Sequence, residues 1–245
     1  MGNSNSALQN LRHLQVQDRG MVLRRFMSLK RFRQIIESSS LYFPPASKFE
    51  DDFEGNPTNR DHVQRESQLK SYGIGEPELA MAKKANQMTA NWNRRAIVIS
   101  CWTRNSVNHT RMWDEYAGGD CAVAIETTVG RLQNCLGDGF LIIPVKYIDF
   151  DRDQIPRGHS LLPFFYKRAE LFEWENEVRI IGEMEIGSRI ESPRLVRVDL
   201  DALIQKITVA PTAPEDFTGV VRSLAQHSLP GVPIEEPKKN RLATT

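Results

Sequence analysis

Apolar residues fall along the chain in short clusters, the longest of strand length, such as residues 140–145. Residues 21–26 predict a strand, and Ser28 stands where a helix N-cap belongs. Phe32, Ile35 and Ile36 follow at helical spacing until Ser38 to Ser40 stop the helix. Leu41, Tyr42 and Phe43 predict a second strand, closed by Pro44 and Pro45. Further strands are expected at 96–102, 121–126, 140–148, 175–182, 194–199 and 207–210. Pro144 cannot donate to a ladder, so the 140–148 strand belongs at an edge or carries a bulge.

Helices are expected between these strands at 78–92, 108–117, 129–136 and 162–171. In the second of them Met112, Trp113, Tyr116 and Ala117 share one face, and Gly118-Gly119 form the stop. Thr128 caps the third. Asp199 or Asp201 can cap a short helix over 202–205, and Pro214 starts a last helix striped by Phe217, Val220, Val221 and Leu224. Helices and strands alternate irregularly. That order predicts an α+β fold: a single domain with a mixed, mainly antiparallel sheet and flanking helices. The domain is expected over 21–236, with a polar helical insertion at about 56–95, between a polar N-terminal tail (1–20) and a C-terminal tail (237–245).

Composition narrows the function classes only a little. Among 245 residues, 32 Lys and Arg balance 31 Asp and Glu, which removes a whole-molecule electrostatic case for nucleic acid or an anionic membrane. No run approaches the roughly 18 apolar residues of a membrane span, so no membrane partner is expected. Cys101, Cys121 and Cys135 have no CxxC spacing. Neither a disulfide framework nor a zinc site is expected from them, and a reducing, cytoplasmic setting is. Met1-Gly2-Asn3-Ser4-Asn5-Ser6 fits the N-myristoylation pattern, which is short and common. The charge balance is locally uneven: residues 1–40 hold seven Lys and Arg against Asp18 and Glu37.

The chain has no GxGxxG after a strand, no GxxxxGK[ST], no HExxH and no GxSxG, which argues against the chemistries those motifs carry. His13, His62, His109, His159 and His227 are scattered and read as surface or structural residues. Three segments hold candidate chemistry. Glu50, Asp51, Asp52 and Glu54, flanked by Phe49 and Phe53, could offer hard oxygen ligands to Mg²⁺ or Ca²⁺, or form a solvated turn; no metal is expected. Glu175 and Glu177 would share one face of a strand, an arrangement tolerated best in front of a cation or a cationic transition state. Arg179 falls on that face as a structural partner for Glu177. Ser100-Cys101-Trp102-Thr103 ends a buried strand with hydroxyls able to hold backbone or ligand.

These segments carry a resemblance. Arg25-Phe26-Met27-Ser28, Leu41-Tyr42-Phe43, Phe49 to Gly55, Ser100 to Thr103, Met112-Trp113 with Tyr116-Ala117, and Glu175 to Arg179 after Lys167-Arg168 resemble a bacterial family described only as a domain of unknown function. Asp52 stands where that family carries a proline. The order of elements is also distantly similar to ADP-ribosyltransferases of the Arg–Ser–Glu type, in which an Arg strand, a Ser-Thr-Ser-like strand and an ExE strand follow one another. The present chain has Cys101 and Trp102 in the middle motif.

That likeness implies NAD⁺ as substrate, with Glu177 and Glu175 catalytic. It implies Arg25, Ser28, Ser100, Trp102 and Thr103 as the residues that bind the nucleotide. The acceptor would be a protein or a nucleic acid, and the analogy extends to a bacterial defence or toxin effector. Two other readings fit the same residues. One is a metal-dependent hydrolase or nuclease built on Asp51, Glu54, Glu175 and Glu177. The other is a non-catalytic sensor or binding module for a nucleotide or small molecule, in which Glu177 and Arg179 are a plain ion pair and Arg25 pairs with an acid such as Glu54.

Overall fold

The computed structural model describes residues 8–184, 187 and 189–236. The chain runs β1 (Val22–Ser28), α1 (Leu29–Ser38), β2 (Ser40–Phe43), α2 (Asn59–Ser71), α3 (Glu76–Ala96), β3 (Ile97–Thr103), α4 (Thr110–Tyr116), β4 (Ala122–Thr128) and α5 (Val129–Leu136). It continues through β5 (Phe140–Pro144), β6 (Lys146–Ile148), β7 (Tyr166–Arg168), α6 (Ala169–Phe172), β8 (Glu177–Glu183), β9 (Arg194–Arg197), α7 (Leu200–Leu203), β10 (Lys206–Val209), α8 (Phe217–Ala225) and β11 (Ile234–Glu235). The fold is α+β. One seven-stranded sheet, ordered β11-β10-β4-β1-β3-β8-β5, is antiparallel throughout except between β10 and β11. Two small ribbons, β2-β9 and β6-β7, flank it.

Side chains alternate across a strand, so β3, β5 and β8 each feed two cores, while Phe26 of β1 and Ala122 and Ala124 of β4 pack with Met112 and Trp113 of α4 in a third cluster. Leu23, Met27, Val98, Val178 and Ile180 pack with Phe32, Leu132 and Val221 on one side. Ile97, Ile99, Leu141, Ile143 and Ile181 pack with Phe164, Phe165 and Leu11 on the other. Ser28 accepts from the Arg31 N–H and Thr128 from the Arg131 N–H, so both expected N-caps form. By contrast, the α2-α3 hairpin stands away from both cores: α2 has no fully buried side chain, and α3 has only Leu79.

Several local expectations are corrected. From Leu8 onward the N-terminal segment is packed rather than a tail. A 3-10 helix over Gln9–Leu14 buries Leu11, with Leu8 beside it in the second core, and the Val16 N–H donates to Ile142 O at 2.9 Å along the outer side of β5. The myristoylation pattern and the 237–245 tail lie outside the described residues. The single strand expected at 140–148 is two strands. Pro144 ends β5 at the sheet edge, and the chain leaves for β6, which pairs with β7. The expected 162–171 helix is a 3-10 turn over Leu162–Phe165, then β7, then the single turn of α6. Leu161, Leu162, Phe164, Phe165 and Tyr166 are all buried, so the helical period there carried no face. The last helix starts at Phe217 rather than Pro214 and buries Phe217, Val221 and Ala225, leaving Val220 outside.

The sheet has one weak join. β1 pairs with β4 along its whole length, and β3 does the same with β8. Between them, β1 and β3 share the single rung Arg24↔Thr103. Further along, the free side of β3 is met instead by the turn after β2, where the Ile99 N–H donates to Pro44 O at 3.0 Å and Pro45 bridges Val98. Between rung and bridge the two half-sheets part.

Candidate functional site

The parting between β1 and β3 opens a cavity of about 210 Å³, walled by residues of both strands, by Met112 and Tyr116 of α4, and by Lys167, Glu175 and Glu177. Arg25 enters from β1. Its Nη1 donates to Ser100 Oγ on β3 at 3.0 Å, and Trp102 Nε1 donates to the same oxygen at 3.1 Å. Among the described residues no carboxylate lies within ion-pair distance of Arg25. Desolvation pulls its guanidinium down to about 10, and it stays charged at neutral pH. Arg31 stands in the same wall, and so does Arg24, which pairs with Glu126 at 2.6 Å.

The opposite wall is acidic. Asn176 sits at φ 48°, ψ 48°, a left-handed conformation that asparagine tolerates, and it separates the Glu173–Glu175 turn from β8. Glu175 and Glu177 therefore do not share a strand face as expected. They converge for a different reason: Lys167 of β7 reaches between them, with Nζ 2.5 Å from Glu175 and 3.2 Å from Glu177. Tyr116 donates its phenol to Glu175. The Thr103 hydroxyl fixes the turn by donating to Glu175 O at 2.6 Å, while accepting from the Asn105 N–H at 2.9 Å.

Behind Glu177 lies Arg179, fully buried two residues along β8. Its Nε donates to Glu177 at 2.9 Å, its two Nη atoms grip Glu54 at 2.6 and 2.7 Å, and Nη1 also donates to Phe164 O at 2.7 Å. A row results, Glu54–Arg179–Glu177–Lys167–Glu175–Tyr116, buried up to Glu175 and reaching solvent at Tyr116. It holds three carboxylates against two cations, and its open end faces the cavity.

The row sets the protonation of its members. Burial pushes Glu177 upward, but Arg179, Lys167 and a hydrogen bond from the Cys101 thiol outweigh it and hold the carboxyl well below its usual value. Glu175 is pushed the other way, by burial and then by the charge of Glu177, against Lys167 and Tyr116. Two neighbouring carboxyls thus differ in proton affinity, the pattern that separates an ionised stabiliser from a group able to carry a proton. Burial and the nearby carboxylates raise Tyr116, which keeps it a donor. Burial also lifts the Cys101 thiol well above its usual value, so it is no thiolate nucleophile.

Of the residues singled out in the sequence, Arg25, Trp102, Thr103, Glu175 and Glu177 line this cavity. Ser100, 1% exposed, is not in the lining and supports Arg25 from behind. Ser28 caps α1 rather than facing the cavity. Trp102, 2% exposed, is a core residue with one edge in the wall. Lys167, Tyr116 and Arg24 were not singled out as site residues. Lys167 and Tyr116 did lie inside the motifs that carried the resemblance.

The acids of the metal reading come close to one another, but Arg179 and Lys167 fill the spaces between Glu54, Glu177 and Glu175, and Asp51 pairs with Arg168 at 2.9 Å. The binding-module reading expected a Glu177–Arg179 ion pair, which forms at 2.9 Å, and an Arg25 pair with an acid such as Glu54, which is taken by Arg179 instead. No protein-family model and no curated protein matches the chain. No helix among the described residues is long and apolar enough to cross a membrane.

Proposed function

We propose that the protein is an NAD⁺-consuming enzyme of the ADP-ribosyltransferase kind, acting in the cavity between β1 and β3. The observation that carries this reading is the bipolar lining: on one wall Arg25, with no carboxylate partner among the described residues, and on the other an ionised Glu177 with Glu175. A ligand suited to both walls has a cationic end and an anionic end. NAD⁺ has both, a positively charged nicotinamide ring and a pyrophosphate. Arg25, Ser100 and Glu177 stand on the successive sheet strands β1, β3 and β8, and this supports the reading.

The chemistry follows from the charges. The bond between the nicotinamide nitrogen and the ribose carbon breaks, and its electron pair leaves with neutral nicotinamide. Positive charge then builds on the ribose as an oxocarbenium ion. Glu177, fixed by Arg179 and Lys167, stabilises that charge more than it stabilises the ground state. Arg25 holds phosphate or ribose oxygen through its planar fork, kept in place by Ser100. The acceptor oxygen or nitrogen attacks the ribose carbon and loses its proton to Glu175. A protein or nucleic-acid group, or water, can serve as that acceptor.

Purified protein given NAD⁺ should release nicotinamide, alone or with a protein or nucleic-acid acceptor, and Glu177→Gln should abolish release while thermal unfolding stays cooperative. NAD⁺ that binds but is never cleaved under any of these conditions would leave a binding module in place of an enzyme. Failure even to bind would remove NAD⁺ altogether.

A further inference from the structure

A second and larger cavity, about 610 Å³, lies between the α2-α3 hairpin and the loop over residues 155–163. We propose that this groove is a separate binding site for a phosphate-bearing small molecule of nucleotide size. Its volume falls in the range of about 300–1,000 Å³ typical of small-molecule pockets. Its lining separates into two chemistries. Arg65 and Arg157 both line the groove: Arg157 donates to Gln68 Oε1 at 2.7 Å, and Arg65 stands one helical turn before Gln68 on α2. Among the described residues neither arginine has a carboxylate within ion-pair distance. Asp61, the one acid among the described lining residues, is already engaged, with Oδ2 accepting from Thr58 N, Thr58 Oγ1 and Ile155 N at 3.0 to 3.3 Å.

Two unneutralised guanidinium groups beside a concave surface form a phosphate site. His159 adds a donor. Its Nδ1 accepts from the Leu161 N–H at 3.2 Å, so Nε2 carries the proton in the neutral ring. The far wall is uncharged. Asn86, Thr89 and Asn93 lie on one face of α3, offering amide and hydroxyl groups that match the edge of a base. Tyr72, 71% exposed at the end of α2, supplies a ring on which a base can stack.

This groove does not depend on the reading of the sheet cavity, and no described residue lines both; the link between them is indirect. Gly55 and Pro163 line the groove, while the adjoining Glu54 and the carbonyl of Phe164 hold Arg179. A ligand in the groove is therefore seated on the same two segments that fix the base of the catalytic row.

The test is equilibrium binding of a ribose-labelled fluorescent ADP to the full chain. Wild type should bind it, with affinity falling as salt rises. The double variant Arg65→Glu, Arg157→Glu, at two exposed positions, should bind roughly tenfold or more weakly with unchanged thermal unfolding, and unlabelled adenosine should compete roughly tenfold less well than ADP. In an Arg25→Ala background, which takes the phosphate-holding guanidinium out of the sheet cavity, a binding component should remain, and the two groove substitutions should weaken that component. Absence of binding, adenosine competing as well as ADP, or loss of binding in Arg25→Ala but not in the groove variant would overturn the proposal. The last of these results would assign the nucleotide to the sheet cavity alone.

Discussion

Replacing Arg179 by methionine keeps much of the side-chain volume and removes one buried cation from between two carboxylates. The guanidinium is fully buried and donates to Glu54, Glu177 and the Phe164 carbonyl. Removing one partner of a buried pair leaves an uncompensated charge and destabilises by about 3–5 kcal/mol. Against a total stability of about 5–15 kcal/mol, that is a large fraction, but the protein need not be fully unfolded.

The effect depends on pH in a defined direction. In the wild type Glu177 is held below its ordinary value, so its ionisation stabilises the fold above the unfolded-chain value of about 4.3. That stabilisation is lost as the pH falls through the lower folded value. Burial already raises Glu54 in the wild type, with Arg179 opposing it, and in Arg179→Met the carboxyl loses that counter-ion and rises further. A carboxyl raised by burial favours the fold at low pH and loses that contribution as the pH rises. The difference between the two proteins should therefore be greatest near pH 7 and shrink toward about pH 5. Urea unfolding at both pH values measures it. Adding Glu54→Gln to Arg179→Met removes a stranded charge and should recover about 1 kcal/mol or more. A loss below about 1 kcal/mol at pH 7, or an equal loss at both pH values, would refute the reasoning.

Three other changes have defined outcomes. Gly182→Ala places a Cβ 2.6 Å from the Phe140 ring across β8 and β5, and should destabilise by about 1–3 kcal/mol in thermal unfolding; a neutral result would mean that Phe140 swings aside freely. Ser100→Ala takes away the hydrogen-bond acceptor of Arg25, so the KM for NAD⁺ should rise about threefold to tenfold with kcat nearly constant; a fall in kcat with unchanged KM would contradict its positioning role. Tyr116→Phe removes a donor to the Glu175 carboxylate, and a carboxyl NMR titration should find Glu175 raised further, whereas an unmoved titration would show that the phenol does not stabilise the ionised form.

Local signals in the sequence located the elements that obey local rules. Ser28 and Thr128 cap their helices because a hydroxyl before an apolar helical period satisfies orphan N–H groups there. The strands bearing Arg25, Ser100 and Glu177 were legible for the same kind of reason, as dense apolar runs. Glu175 was misplaced because one left-handed residue, Asn176, breaks the alternation, and periodicity does not register a single dihedral. Of the buried row, the pairing of Arg179 with Glu177 was legible from their spacing of two, and the longer-range partners were not. Arg179 and Glu54 are 125 positions apart and meet only through the tertiary fold, so no spacing could announce them. Lys167 was hidden in a stretch whose buried neighbours imitated a helix.

The single rung between β1 and β3 gives the molecule an unusual kind of sheet edge. By the alternation of a strand's hydrogen bonds, Cys101 turns its N–H and C=O the same way as Ile99, away from β8 and toward β1. Edges of this kind on a protein's outside recruit foreign strands and seed aggregation. Here the edge faces inward, across a space too wide for β1 to close and walled by side chains on every element around it. The fold thus turns that length of β3 into a cavity wall, enclosed by neighbouring elements of the same chain and turned away from other polypeptides.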